Sequence, residues 1–261
     1  MNIFSLSFGK DSMATLILAA EQGIPIDRVM YCDIRFNEEI SGEHPIMAEW
    51  IPTAEKRLKE LFGITVDHAY SDTYLNKFYT VKKTGKFVGK IYGFPYIRAA
   101  WCNRELKLKA ISKYLSQFKN KKITQFVGIA KDERSRWERM KLKETANRKY
   151  RSLLVEQNLT EQDAMAICKK YDLLSPMYGV DGIFRGGRWF CPKQCMADLW
   201  SLWKNYPDLY NRLLEMEPYS HDTFKPCGVT LALLAERFEN GYIPKRKVKS
   251  KFVQLDMFDK F

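Results

Sequence analysis

The chain has 261 residues, 46% of them apolar and 14% aromatic, which excludes wholesale disorder and fits one large domain or a domain with an appendage, at about 100–200 residues per domain. Its formal net charge of +12, from 43 Lys and Arg against 31 Asp and Glu, favours polyanionic partners such as nucleotides or nucleic acid. It has no apolar run near the roughly 18 residues that span a membrane, and the N-terminus lacks a charged region followed by a cleavage site, so no membrane partner and a cytoplasmic location are expected.

Residues 2–7 read as a short buried strand, and residues 11–22 as a helix with Met13, Leu16, Ile17 and Ala20 on one face. "DRVMYCD" gives a second strand near 28–32. "IMAEWIPTAEKRLKELFG" is a long amphipathic helix ended by Gly63, and "ITVDHAY" a third strand. This alternation predicts an α/β fold, a parallel sheet with helices on both faces. Within 71–100, "TVKKTGKFVGKIYGFP" is basic, aromatic and glycine-punctuated, as expected of an inserted hairpin or loop. "NRELKLKAISKYLSQF" returns to helical spacing and "ITQFVGIA" is a further buried strand.

The character changes near residue 150. Thr160 and Asp163 have capping-box spacing, with Asp where Glu or Gln is usual. A glycine-rich segment, "GVDGIFRGGRWFCPKQC", leads to helices near 196–204, 207–216 and 229–240. The expected organisation is an α/β domain over 1–150 with an insertion at about 71–100. A mainly helical, cysteine-containing part over 151–243 and a basic tail over 244–261 follow.

The first strand runs into Ser7-Phe8-Gly9-Lys10-Asp11-Ser12 and then a helix. Such a turn is an anion site, because free N–H groups and the helix dipole point at the ligand. Gly9 permits close backbone approach, Ser7 and Ser12 add hydroxyl donors, and Lys10 adds charge. The Walker spacing G-x-x-x-x-G-K-S/T is absent.

This stretch resembles the pyrophosphate-binding loop S-(G/F)-G-K-D-S of the PP-loop adenine-nucleotide α-hydrolase superfamily. The resemblance continues in "RAAWCNRELK", where Arg98, Trp101, Cys102, Leu106 and Lys107 match R-x-x-W-C-x-x-x-L-K. It continues again in "GIAKDERSR", where Gly128, Asp132, Glu133 and Arg136 match G-I-x-x-D-E-x-x-R. "LTEQDAMAICKKYDLLSPMYG" and "RGGRWFCP" are similar to a further block of the PAPS-reductase-like branch found in phages and bacteria. The resemblance spans residues 5 to about 215 and implies a HUP-type α/β sandwich.

By this resemblance Ser7, Phe8, Gly9, Lys10, Asp11 and Ser12 hold the phosphates of ATP or PAPS, with Asp11 closing the turn or assisting Mg²⁺. Asp33 ends the second strand near the adenine, or else caps the following loop. Lys107 and Arg136 supply charge to developing negative oxygens; a surface ion pair within the charge run is the other reading of Arg136. Gly128, Asp132 and Glu133 line the strand end. Cys102 has a structural or ligand-contact role.

Six cysteines in a cytoplasmic chain argue against a disulfide framework. Cys191 and Cys195 are a close pair, and Cys168 and Cys227 would complete four ligands for a [4Fe-4S] cluster or Zn²⁺. Relatives read "GGCWFCP", whereas here Arg188 stands at the first cysteine, so either Cys195 substitutes or the site is lost. In the tail, Gln254 to Phe258 resemble the Q-L-x-(L/M)-F peptide that docks on the DNA-polymerase sliding clamp.

The leading expectation is an enzyme that cleaves ATP between the α- and β-phosphates and adenylates a substrate for sulfur or amine transfer, with nucleic acid as acceptor. The alternatives are a sulfonucleotide (PAPS) reductase, although the E-C-G-x-H stretch of that enzyme is missing, and a non-catalytic nucleotide-binding module recruited to replication machinery.

Overall fold

In the computed structural model of the chain, residues 1–85, 87–95, 100–178, 187–225 and 228–245 are described. Arg98, Cys227 and the tail motif at 254–258 lie outside them. The chain divides into two compact units, Met1–Thr80 with Ala99–Arg188, and Val81–Arg98 with Trp189–Phe261.

The first unit is built on five parallel strands: β1 (Asn2–Leu6), β2 (Arg28–Cys32), β3 (Asp67–Ala69), β4 (Ile123–Val127) and β5 (Arg148–Arg151), in the order β3-β2-β1-β4-β5. The α/β architecture follows from the sequence pattern as expected. Apolar runs form the central strands β1, β2 and β4, since a parallel strand is buried on both faces. Around the sheet lie α1 (Lys10–Glu21), α2 (Pro45–Phe62), α3 (Tyr74–Tyr79), α4 (Lys109–Ser116), α5 (Arg134–Lys141), α6 (Leu153–Glu156) and α7 (Glu161–Lys170). Gly63 ends α2 with φ +67, a left-handed turn that glycine adopts without steric cost.

Strand alternation sends neighbouring β4 residues to two cores. Phe126 joins β1, β2, α1, α2 and α7 in the larger cluster and stacks on Phe4 with ring centroids 4.2 Å apart. Val127 joins Ile129 and Tyr150, with Trp137 and Met140 of α5 packed against them. α6 and α7, expected in the C-terminal part, pack on α1 and belong to the first unit.

Four elements go beyond the sequence expectation: α3 inside the insertion, α5 in the charge run, the edge strand β5 and the short α6 after it. In addition, the helix expected from Asn103 begins with a π-helical stretch, Asn103–Leu108, before α4. A π-helix shifts carbonyls out of the usual ladder. Here the Ser71 hydroxyl donates to Leu106 O at 2.9 Å and Glu105 O at 3.3 Å, and the Cys32 thiol to Lys107 O at 3.7 Å.

The second unit contains the helices α8 (Met196–Asn205), α9 (Pro207–Met216) and α10 (Leu231–Glu239), near the expected positions. Residues 81–91 close as a hairpin through an antiparallel bridge between Val81 and Ile91. The Glu217 carboxylate accepts from Phe224 N at 3.0 Å and Leu231 N at 2.6 Å, tying the loop before α10 to the end of α9. The buried Lys225 ammonium donates to Pro192 O at 3.0 Å and to Gln194 O, closing the Cys191–Cys195 loop from inside.

Just beyond β4, the backbone of Gly128 passes against the start of α1. A Cβ at this position would lie 2.3 Å from Ser12 N and 2.5 Å from Asp11 C and Ser12 Cα, distances at which backbone has to move. Gly128→Ala is therefore expected to destabilise the fold by about 1–3 kcal/mol, as overpacking does. Denaturant unfolding of the two chains checks this.

Candidate functional site

The site forms at the carboxyl ends of β1 and β4. There α1 follows β1 back toward β2, while the chain leaving β4 turns the other way. In open parallel sheets ligands bind at this point, where the strand order reverses. Ser7, Phe8 and Gly9 make the turn, and Gly9 is the N-cap of α1. Phe8 has φ +54, a left-handed conformation costing a non-glycine residue about 1–2 kcal/mol. Its fully buried ring offsets that cost with edge-on contacts to Tyr31 (5.0 Å) and Trp50 (6.2 Å).

Hydrogen bonds fix the turn. Ser12 Oγ accepts from Ser7 N at 3.1 Å, lies 3.0 Å from Ser7 Oγ and donates to Gly9 O at 3.0 Å. Lys10 N donates to the Tyr178 hydroxyl at 3.2 Å. The Cys168 thiol of α7 donates to Lys10 O at 3.2 Å.

The Lys10 ammonium is buried between two carboxylates, 2.9 Å from Asp11 Oδ2 and 2.9 Å from Glu161 Oε2. Burial disfavours its charge, but Asp11 and Glu161 outweigh that and hold it above the ordinary lysine range. Burial raises the Asp11 carboxyl against the pull of Lys10, and the charges of Glu161 and Glu133 add to the rise. Glu161 is the first residue of α7, whose N-terminus is held by a complete capping box between Thr160 and Asp163.

The other expected residues lie at the carboxyl ends of β2 and β4 and at the π-helical stretch. Glu133 accepts from Arg136 Nη1 at 2.8 and 2.7 Å, so Arg136 forms an ion pair on a half-exposed side chain. Asp132 is exposed in the turn before α5. Asp33, just past β2, accepts from Arg35 Nε at 2.8 Å and lines a cleft of about 280 Å³ with Tyr31, Arg35, Glu38 and His68. A second cavity of about 460 Å³ lies at the opposite, amino end of β2 and β3, away from the loop. Cys102 is half-buried immediately before the π-helical stretch, and Lys107 lies on that stretch.

Two of the four cysteines expected as ligands, Cys168 and Cys195, make hydrogen bonds within the fold. Burial, with the Asp11 charge adding to it, pushes the Cys168 thiol up to about 12, in keeping with its role as a donor to Lys10 O. Cys195 is the N-cap of α8 and accepts from Asp198 N at 3.4 Å. Among the described residues no group of three or more His, Cys, Asp or Glu side chains is placed to hold a metal.

Three site residues carry no local sequence signal. Tyr178 and Glu161 meet the loop only through the packing of α7 on α1 and the chain that follows it, and Glu43 accepts from the Tyr31 hydroxyl at 3.2 Å. The capping box could have marked Glu161 as the start of a helix, but nothing in it indicates Lys10 as the partner.

No protein-family model, curated protein or solved structure matches the chain. The class that the fold defines is an α/β protein whose Ser7–Ser12 turn stands at the reversal of its parallel sheet.

Beside the site, buried Glu105 binds Lys109 at 2.5 Å, Arg104 at 2.8 Å and Lys77 at 3.3 Å, anchoring the π-helical stretch. Burial works against its ionisation, yet these three cations hold the carboxyl at about 2. A depressed folded-state pKa gives stability that is present above the ordinary value of 4.5 and is lost as pH falls toward 2. Glu105→Gln is expected to lower stability at pH 7, the gap to the unaltered chain closing between pH 4.5 and about 2. Urea titrations across that range check it.

Proposed function

We propose that the chain is a PP-loop enzyme that binds ATP at the Ser7–Ser12 loop, cleaves it between the α- and β-phosphates and adenylates an acceptor for sulfur or amine transfer. The observation that carries this reading is the placement of the S-F-G-K-D-S turn at the reversal point of a β3-β2-β1-β4-β5 parallel sheet, with Gly128 pressed beneath it. The first amides of α1 and the Lys10 ammonium offer donors and charge to phosphate. Tyr178 Oη accepts from Lys10 N and Glu161 pairs with Lys10 Nζ, so phosphate oxygens would take the places of these two groups.

The donor set suits Mg²⁺. Asp11 offers hard oxygens, and a magnesium–nucleotide site needs one or two carboxylates with the phosphates supplying the rest. Mg²⁺ would neutralise charge on the phosphates at cleavage. Lys10 would hold the departing pyrophosphate, while Gly128 lets the backbone come close enough to line it. Asp33 and its cleft at the end of β2 would take the nucleoside.

The second unit supports nucleic acid as the acceptor. In its hairpin Lys82 Nζ lies 5.0 Å from the Phe87 ring and 5.4 Å from that of Tyr92, and Lys83, Val88 and Lys90 are exposed. Basic groups interleaved with aromatic rings suit a phosphate backbone and its bases.

The chain is expected to release pyrophosphate from ATP in a Mg²⁺-dependent manner, and Lys10→Ala to reduce this by about 10²-fold or more, as loss of one preorganised charge contact does. A pyrophosphate-release assay paired with equilibrium ATP binding checks it. An unaltered chain that binds no nucleotide overturns the reading.

A further inference from the structure

A second group of cations gathers at the carboxyl end of β2, apart from Lys10. Arg188 is fixed at its backbone by an antiparallel bridge to Glu43. Its Nη2 stands 3.8 Å from Glu43 Oε1, too far for a hydrogen bond, and its Nε is buried with no hydrogen-bond partner among the described residues. The carboxylate it faces already accepts from the Tyr31 hydroxyl. Lys107 enters the same neighbourhood from the π-helical stretch, whose Lys107 carbonyl is tied to the Cys32 thiol. The Lys107 ammonium has no ion pair or hydrogen bond among the described residues; burial, and then the charges of Arg188 and Arg136, push it below the ordinary lysine range, with Glu43 pulling the other way. Arg136 is already committed to Glu133.

Two largely buried cations therefore share one partly engaged carboxylate. Cations taken out of water without matching counter-charge cost several kcal/mol, and an anion arriving between them recovers that cost. An arginine edge with a free Nε and a loosely held Nη2 is a fork for two oxygens of one group. We propose that Arg188 and Lys107 form a second oxyanion pocket at the carboxyl end of β2, which takes a tetrahedral sulfate or phosphate group. The pocket stands on its own geometry. Its use for an anionic group of the acceptor rests on the nucleotide reading above.

Inorganic sulfate at low millimolar concentration is the probe, with chloride of equal ionic strength as control and the full chain as the protein. The Arg188 Nε–H resonance, assigned by its loss in Arg188→Met, is expected to shift saturably with sulfate. Apparent affinity should fall at least tenfold in Lys107→Met and stay within twofold in Lys10→Ala. Arg188→Met should melt no lower than the unaltered chain in chloride, because it removes a poorly compensated cation, and should show a smaller sulfate-induced rise in Tm than the unaltered chain, whose remainder belongs to the Ser7–Ser12 loop. Phosphate should behave as sulfate does, and acetate should bind at least tenfold more weakly. A resonance that does not move, a response lost in Lys10→Ala but kept in Lys107→Met, or acetate binding equal to sulfate overturns the proposal. So does an Arg188→Met chain that melts several degrees lower with its sulfate response intact, since Arg188 would then be only a structural partner of Glu43. If the nucleotide reading fails, ATP binding is missing while the Arg188 signal still responds; if the pocket fails, ATP binding survives.

Discussion

The close approach of Gly128 to the first turn of α1 sets the geometry of everything around it. At this point the chain leaving β4 and the chain leaving β1 come within contact of each other's backbone, with no room for a methyl group between them. That contact fixes how far α1 stands from the end of β4, and so where the amides of residues 9–12 face. Phe8 supplies the matching constraint from the other side. Its ring is locked into the core by Tyr31 and Trp50, while its backbone is held in the left-handed region that turns the chain into α1.

Charge burial is the second theme of the first unit, and it is handled in two ways. Around Lys10 and around Glu105 every buried charge has opposite charges at hydrogen-bond distance. Such networks gain specificity of position from their geometry, because removing one member leaves the others uncompensated. Around Arg188 and Lys107 the balance is missing among the described residues, with an unpartnered Nε on one side and an ammonium without an ion pair on the other. This contrast within a single unit is the ground for the proposed second pocket.

Much of the fold was legible in the sequence, because its central elements are governed by local rules. β2 falls on the residues read from "DRVMYCD", α2 ends at Gly63, and the capping box at Thr160 and Asp163 opens α7 as the spacing says. The elements that escaped lack the signal those rules need. α5 buries no residue fully, and its single apolar pair, Trp137 and Met140, is too short a face to reveal a helix within the charge run. β5 reads Arg-Lys-Tyr-Arg with Tyr150 alone buried, and α3 shows a single Tyr74–Phe78 pair. The π-helical stretch continues ordinary helical spacing, and its register depends on Ser71 and Cys32, which lie far away in sequence. The candidate site divides along the same line. The loop itself is local and could be read directly, whereas Tyr178 reaches Lys10 from 168 residues further along and is placed by tertiary packing alone.

Because Lys10 is held by a carboxylate from the first residue of α7, the loop carries a built-in counterion. On the proposed reading, an anion that took the ammonium would compete with Glu161 for it. Glu161 opens a helix whose other contacts run along α1, so such an arrival would bear on the mouth of that helix. Occupancy of the turn and the seating of α7 would then be joined through one exchangeable side chain.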